Sequence, residues 1–389
     1  MFQKKNAIKN FDFLLLFIII LLTGFGLIGI ALATRSPMEG TEGAIAEAIG
    51  SFNLQQVKLQ IIWFATGLVL MIIVVSVDYH KINDLAPYAY LAVIGLLVIV
   101  KFFGTTGGGA QRWIAIGSFR MQPSEFTKIT VILILARIMA REDEEEEEGI
   151  NDFKTIGKLI IALALPLALI IIQPDMGTAM VLAVIFAGMV FVAGIKYKYL
   201  FIALAAAVAA VPVVWYTILD DFQKKRIQVF LNPGMDPLGD GYHVLQSIIS
   251  IGSGQLTGQI GRAGLLGDNL LSQLDFLPAK DTDFVFSVTT EALGFIGGIT
   301  IIVLYYLLIM RTLRVARRSR DKLGSYICVG VASMVLFHVF ENIGMSMGIM
   351  PITGIPLPFI SYGGSSMWTN MISFGLVLNV GMRRQKINF

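Results

Sequence analysis

The residues best equipped for chemistry in this 389-residue chain stand where charge is costly. The stretch FLPAKDTDF, residues 276–284, sets Lys280, Asp281 and Asp283 at the threshold of an apolar run that begins FVFSV, and Glu291 follows within that run. A carboxylate in such a place can take a proton or hold a cation, but spacing limits how many act together. Asp283 and Glu291 lie eight residues apart. On one helix that separates them by about 80° in direction and about 12 Å in height. Asp281 and Asp283 face different sides of any helix that contains both. The pattern favours one working carboxylate with accessories, or else an Asp283 that merely caps the following helix.

Three further groups qualify. In QPSEFTKI, residues 122–129, Glu125 and Lys128 share a helix face and can pair. They either pin that helix as a buried ion pair or line a polar cavity. In IIQPDMGTAM, Asp175 sits at a break made by Pro174 and Gly177 and either starts a helix or joins the same cavity. Arg112, beside Trp113 in the glycine-rich GTTGGGAQRWIAIGSFRMQ, is an interfacial anchor or a phosphate holder. Arg226 and Lys280 are additional cations for an anionic group. An ionisable side chain in a membrane span is a functional hypothesis by default. His80, His243 and His338 are scattered without zinc spacing, so metal ligands stay unassigned, with a divalent cation such as Mg2+ left open. GFGLIG, residues 24–29, matches a dinucleotide fingerprint literally but lies inside an apolar run, where small residues serve close helix packing. The lone Cys328 reads as a core thiol.

The elements that must position these residues are membrane helices. The chain is 56% hydrophobic and 15% charged, with a mean hydropathy of +0.74. Long apolar runs between short polar ones place it in a bilayer, and a net charge of +3 gives no reason to expect nucleic acid. The fold class is an all-α polytopic membrane protein, read as one integral-membrane domain over residues 1–389. About ten spans are predicted, at 11–33, 59–77, 85–103, 122–140, 157–173, 176–195, 199–219, 284–310, 325–348 and 364–382. Nine is the alternative if QPDMG does not separate the fifth from the sixth. The first span reads as retained rather than as a cleaved signal. With both termini cytoplasmic, the inner segments hold the larger share of Lys and Arg, from Lys4, Lys5 and Lys9 through Arg137, Lys196 and the Arg311–Lys322 stretch to Arg383, Arg384 and Lys386. That asymmetry supports an even number of spans. Residues 220–283 form a large extracellular loop, in which VLQSIISIGSGQL suggests an amphipathic helix at the membrane surface. The acidic REDEEEEEG, residues 141–149, is expected to be a solvated loop.

Several stretches, taken in order, resemble the shape, elongation, division and sporulation (SEDS) family of bacterial membrane proteins, whose members include RodA, FtsW and SpoVE. They are GAQRWIAIGSFRMQPSEFTKI, QPDMGT, FLNPGMDPLGDGYHVLQSIISIGSG, FLPAKDTDFVFSVTTEALGFIG and MPITGIPLPFISYGGSS. The resemblance runs from about Gly104 to the C-terminus, and PITGIPLPF looks more like the RodA branch than the FtsW branch. Family members often read FLPEAHTDF where this chain has Ala279, Lys280 and Asp281 in place of Glu, Ala and His. RSPMEGTEGAIAEAIGSFNLQQ, residues 35–56, matches nothing familiar.

The resemblance implies a multi-pass peptidoglycan glycosyltransferase of the bacterial cytoplasmic membrane. Such an enzyme polymerises lipid II on the extracytoplasmic side, among membrane lipids, and works with a class B penicillin-binding protein that crosslinks the product. It places the family's polymerisation aspartate on Asp283, and the family's GIPLPFISYGGSS motif puts Ser361 and Tyr362 among the substrate-binding residues. The chemistry agrees with the spacing: an attacking sugar hydroxyl needs one base, and the departing lipid pyrophosphate needs positive charge. Arg112, Lys128, Arg226 and Lys280 are the cations within reach of the outer side, and Glu125 and Asp175 complete a polar cavity for the substrate. A lipid II flippase or other transporter, and a non-catalytic scaffold for a transpeptidase, are the alternatives.

Overall fold

The computed structural model describes residues 10–35, 54–107, 110–117, 119–145, 149–236, 239–263, 277 and 279–383. Helices α1 (Phe13–Ala33), α2 (Leu54–Ser76), the short α3 (Tyr79–Asp84) and α4 (Ala86–Phe103) come first. A small sheet follows, β1 (Thr105–Gly107), β2 (Ala110–Ile116) and β3 (Phe119–Met121). Then come α5 (Pro123–Glu145), α6 (Phe153–Ile172), α7 (Met176–Val192) and α8 (Tyr197–Val213). Residues 220–283 carry α9 (Asp221–Leu231), α10 (Asp240–Ser253) and α11 (Gly258–Ala263), before α12 (Val285–Arg317), α13 (Lys322–Ser346) and α14 (Gly364–Met382). Most of the unmatched stretch 35–56 (residues 36–53), the basic residues Lys4, Lys5, Lys9, Arg384 and Lys386, and residues 264–276 before Asp283 lie outside the described residues.

Each predicted span falls on a helix, and the break at QPDMG separates α6 from α7. Among the described residues, seven helices are long and apolar enough to cross a membrane: α1, α2, α4, α6, α8 with its continuation to Thr217, α12 and α13. α7 is apolar but shorter. α5 and α14 miss that measure for a physical reason. α14 buries Ser365, Ser366, Thr369, Asn370, Ser373 and Asn379 against its neighbours, so its polar side chains meet protein and not lipid. The N-terminal half of α5 is likewise enclosed, with Ser124, Glu125, Thr127 and Lys128 all buried. α8 is the opposite case, an apolar helix with no buried residue.

The fold refines three expectations. Within the all-α architecture, the glycine-rich segment, read as a loop, forms a small antiparallel sheet in the order β1-β2-β3, pairing Thr105 with Trp113 and Ile114 with Met121. The beginning of the acidic run is not a solvated loop. α5 continues to Glu145, and Glu142 is buried where it accepts hydrogen bonds from Lys158 Nζ at 2.6 Å and Thr155 Oγ1 at 3.0 Å. The long apolar run after Asp283 is a broken helix. α12 leaves helical geometry at Gly294 (φ 70°, ψ −167°). The amide N–H groups of Phe295 and Ile296, beyond the break, donate to the carbonyls of Gln255 and Leu256 at 2.8 and 3.2 Å. A break at this depth survives because backbone from the 254–258 turn supplies the missing acceptors.

Two features bring the outer ends together. Gly26 of α1, within the GFGLIG stretch, lies so close to Ile360 that an added Cβ would stand 2.7 Å from its Cα, and Gly29 lies against Thr289, so these two glycines serve packing. α10 lies across α12 and α13 with its polar face inward: Ser247 Oγ donates to the Ser346 carbonyl at 2.7 Å and sits 2.6 Å from Ser287 Oγ. Leu245, Ile248 and Ile249 point outward and are exposed.

Candidate active site

Asp283 sits in a tight turn just before α12. The carbonyl of Ala279 accepts hydrogen bonds from the amides of Thr282, Asp283 and Phe284, at 3.2, 3.0 and 3.2 Å. Ala279 holds a left-handed conformation (φ 50°), a strained setting for a non-glycine residue. The turn is clamped from the opposite side by the segment between α13 and α14, residues 347–363, which is non-helical and largely buried. Ser361 Oγ donates to the Thr282 carbonyl at 2.6 Å and accepts from the Leu357 amide at 2.8 Å. The Tyr362 amide donates to the Asp281 carbonyl at 3.0 Å. Gln60 of α2 donates to the Ser361 carbonyl at 3.1 Å and accepts from the Gly363 amide at 3.2 Å. Ser361 and Tyr362, expected at the substrate, here fix the backbone that carries Asp283.

The charges follow. Asp283 is half-buried. Burial pushes its carboxyl above the ordinary carboxylate range; Arg112 and Arg226 oppose that rise, Asp281 adds to it, and a hydrogen bond from Thr282 works against it. Two arginines from distant elements, β2 and α9, thus act on one carboxyl. Arg112 also bonds Asp175 Oδ1 at 3.3 Å, and its Nε is buried with no hydrogen-bond partner among the described residues. Asp175 caps α7 through the Thr178 amide at 3.3 Å and accepts from Gln122 Nε2 (3.1 Å), Ser124 Oγ (3.0 Å) and Thr178 Oγ1 (3.0 Å). A carboxylate so engaged is a support for Arg112. Beside Arg226, apolar side chains of α9 and α10 and the 348–352 segment line a cleft of about 60 Å³. Lys280 is half-buried in the turn itself.

Glu125 and Lys128 do pair, Lys128 Nζ donating to Glu125 Oε1 at 2.8 Å with both side chains buried. The ammonium also lies 3.1 Å from Nε2 of His338 on α13. The other ring nitrogen of His338, Nδ1, lies 2.9 Å from the Pro356 carbonyl. One turn on, Asn342 Nδ2 donates to the carbonyls of Asp283 and Ile355, at 2.9 Å each. Glu341, fully enclosed, accepts from the Thr353 hydroxyl. A single face of α13 therefore connects the α5 ion pair, the 353–356 segment and the Asp283 turn. His338, Glu341, Asn342 and Gln60 escaped the sequence reading. The spacing HVFEN, with polar groups at i, i+3 and i+4 in an apolar span, was the available signal. Glu291 is buried in α12 before the Gly294 break. Among the described residues no three His, Cys, Asp or Glu side chains gather as a metal site.

The profile of the cell cycle protein family that groups FtsW, RodA and SpoVE matches residues 13–386. The chain belongs to this family. It is 38% identical to the peptidoglycan glycosyltransferase MrdB of Escherichia coli K12 over 324 residues, covering 83% of this chain and 85% of that one. It is 34% identical to the peptidoglycan glycosyltransferase RodA of Treponema pallidum over 453 residues, covering 98% of this chain and all of that one, 100%. Among solved structures, it superposes with a TM-score of 0.76 and 29% identity on a chain from work on how a peptidoglycan synthase complex coordinates polymerization and crosslinking, covering 95% of this chain and 97% of that one. A FtsW/RodA/SpoVE member is a multi-pass membrane protein, in keeping with the helices described above.

Proposed function

We propose that the chain is a peptidoglycan glycosyltransferase that polymerises lipid II, with Asp283 as the general base. The observation that carries this reading is the convergence of Arg112 and Arg226 on a half-buried Asp283, in a chain whose relatives bear that enzyme's name. A buried carboxylate with raised proton affinity is suited to take the proton of an acceptor sugar hydroxyl as it attacks the anomeric carbon. The bond from that carbon to the lipid pyrophosphate breaks, and the leaving oxygen keeps the electron pair. Arg112, aimed by Asp175, and Arg226 stabilise the charge that develops there, with Lys280 as a further cation. Glu125 and Lys128 act behind the site as a buried pair that braces α13. No step is assigned to a metal ion.

The reading includes ten spans with both termini cytoplasmic and the site on the extracytoplasmic face. It is supported by the sorting of the helix ends: Arg311 with Asp12, Arg383 with Asp78 and Arg137 with Asp84 share one side, while Asp175, Asp283 and Ser361 share the other. A class B penicillin-binding protein is the expected partner, since the solved relative comes from a synthase complex. The test is lipid II polymerisation by purified protein in detergent, with and without the cognate penicillin-binding protein, beside Asp283→Asn. Detergent removes the sealed compartment that a flippase needs. Polymerisation lost in Asp283→Asn supports the reading; polymerisation at the parental rate in that variant, folded and partner-bound, ends it.

A further inference from the structure

A charged cavity at the end of the bundle opposite Asp283 has no part in the transfer reaction. Its volume is about 170 Å³, and its lining includes His80, Asn83 and Asp84 of α3, Arg137 and Arg141 of α5, and Asp321, which caps α13. That is about ten times the space one buried water needs, room for a polar group of several heavy atoms. Part of the lining is already committed. Asp321 accepts from the Tyr79 hydroxyl at 2.6 Å and lies 2.8 Å from His80 Nε2. Arg137 donates from one nitrogen, Nη1, to the Asn83 carbonyl at 2.8 Å and to Asp84 Oδ1 at 3.1 Å. The rest of its fork of five N–H groups lies beyond those two bonds. Arg141, one turn further along the same face of α5, is exposed. Asn83 is only 4% exposed, yet its side-chain Oδ1 is buried with no hydrogen-bond partner among the described residues. Buried polar atoms are bonded as a rule, and exceptions ask for an explanation.

These groups require two things of a ligand. Guanidinium groups four residues apart on one helix face suit a phosphate, whose oxygens accept paired bonds from such forks. Asn83 Oδ1 is itself an acceptor, so a phosphodiester, which has only acceptors, leaves it unsatisfied. It needs a donor, and the carboxylates of Asp84 and Asp321 around the same cavity favour a cationic one. We propose that this cavity binds the headgroup of an aminophospholipid, a phosphodiester joined by a short carbon link to a primary ammonium. The phosphate rests on Arg137 and Arg141, and the ammonium donates to Asn83 Oδ1 between Asp84 and Asp321. The setting is that of a lipid headgroup. The cavity lies where α3 gives way to the apolar span α4 and where the apolar span α13 begins. α4 turns Tyr88, Leu91, Ile99 and Phe102 outward along one side, an apolar track for acyl chains that starts just past Asn83. Basic pockets between membrane helices hold lipid headgroups by the same chemistry. The site stands apart from the transferase reading, and it holds for either orientation in the membrane, since both leaflets present headgroups. A lipid seated there joins α3, α5 and α13, alongside the Arg137–Asp84 and His80–Asp321 contacts.

The test is native mass spectrometry of the full chain, stripped of lipid in detergent and titrated with phosphatidylethanolamine, phosphatidylcholine or phosphatidylglycerol of matched acyl chains. Phosphatidylethanolamine is expected to bind at least about tenfold more tightly than the other two, the size of one lost hydrogen bond to a charged group. Phosphatidylcholine keeps the cation but has no N–H for Asn83, and phosphatidylglycerol lacks the cation. Arg141→Gln, at an exposed position, is expected to weaken phosphatidylethanolamine binding about tenfold, and Asn83→Ala to abolish the preference over phosphatidylcholine. If Asn83→Ala does not fold, Arg141→Gln alone is read. Equal binding of the three lipids, a preference for either of the others, or parental binding by Arg141→Gln would overturn the proposal. Soluble phosphoethanolamine separates the two sources of this headgroup. Weak binding beside that of the whole lipid supports the membrane as the source, and binding as tight as the lipid's overturns it. Added phosphatidylethanolamine should also raise the melting temperature of the parent more than that of Arg141→Gln; an equal rise in both counts against the site.

Discussion

Both ends of the helix bundle gather charged side chains, and they use them differently. At the end that carries Asp78 and Asp321, called inner on the topology proposed above, His80 lies between two carboxylates, with Nδ1 2.8 Å from Asp78 and Nε2 2.8 Å from Asp321. Tyr79 donates to Asp321 at 2.6 Å, Arg383 bonds Asp78 at 3.2 Å, and Arg311 bonds Asp12 at 2.8 Å. These contacts join helix termini to one another, and each charge has its counter-charge. At the opposite end, Asp175 is just as fully engaged, but Arg112 Nε, Glu125 Oε2, Glu341 Oε2 and Asn342 Oδ1 are buried without hydrogen-bond partners among the described residues. Leaving such atoms unpaired costs about 1–3 kcal/mol each. Asn83 Oδ1 and Ser319 Oγ at the first end are unpartnered among the described residues as well; what differs is charge, and under the proposed function the unpartnered guanidinium and carboxyl atoms are those a polar substrate would meet.

The largest expected effect tests that division at Asp283. Asp283→Asn should cut lipid II polymerisation by at least about 10²-fold, the usual size of a general-base contribution. Its effect on stability should have the opposite sign. Burial raises the folded-state proton affinity of Asp283 above its unfolded value. The stability this group contributes is then fully present below the ordinary carboxylate range and lost as pH rises through the raised value. At neutral pH the variant should therefore melt no lower than the parent. A clear fall in melting temperature would put Asp283 among the structural charges instead.

Lys128→Met comes next, because it strands Glu125 as a buried unpaired charge. A loss of about 3–5 kcal/mol is expected, read by thermal unfolding in detergent. Glu125→Gln with Lys128→Met should recover most of it. Failure of the double variant to recover would mean that Lys128 acts chiefly through His338. Gly354→Ala is a smaller change. Its left-handed backbone costs a non-glycine residue about 1–2 kcal/mol, and the added methyl presses toward Asp283 Oδ2, so polymerisation should fall further than stability. The smallest effect belongs to the inner end. His80→Ala removes a contact between half-exposed groups, worth about 1 kcal/mol or less. The rate per folded molecule should stay at the parental value. An inner-end variant that slows polymerisation while staying folded would break the comparison.

The spans were legible because hydropathy is a property of the chain itself. Even α14, rich in Ser, Thr and Asn, was found at 364–382, where its polar residues are diluted among apolar ones. The Glu125–Lys128 pair was legible for a similar reason, since spacing on one helix is fixed by its pitch. The sheet at 105–121 was not, because its strands are short and its glycines read as loop. Nor was the break at Gly294, whose freed amides are satisfied by carbonyls at 255 and 256, in a segment some forty residues away in sequence.

The sequence alone therefore determined which segments form long apolar helices and that Glu125 and Lys128 can pair. These follow from composition and from distances of a few residues. The tertiary structure alone decided which cations face Asp283, that Ser361 and Asn342 hold its turn, and that Glu341 shares its surroundings. Those contacts join residues as much as two hundred positions apart, from Arg112 to Asp283 and from Lys128 to His338. No local pattern encodes such pairings; they arise only when the helices pack.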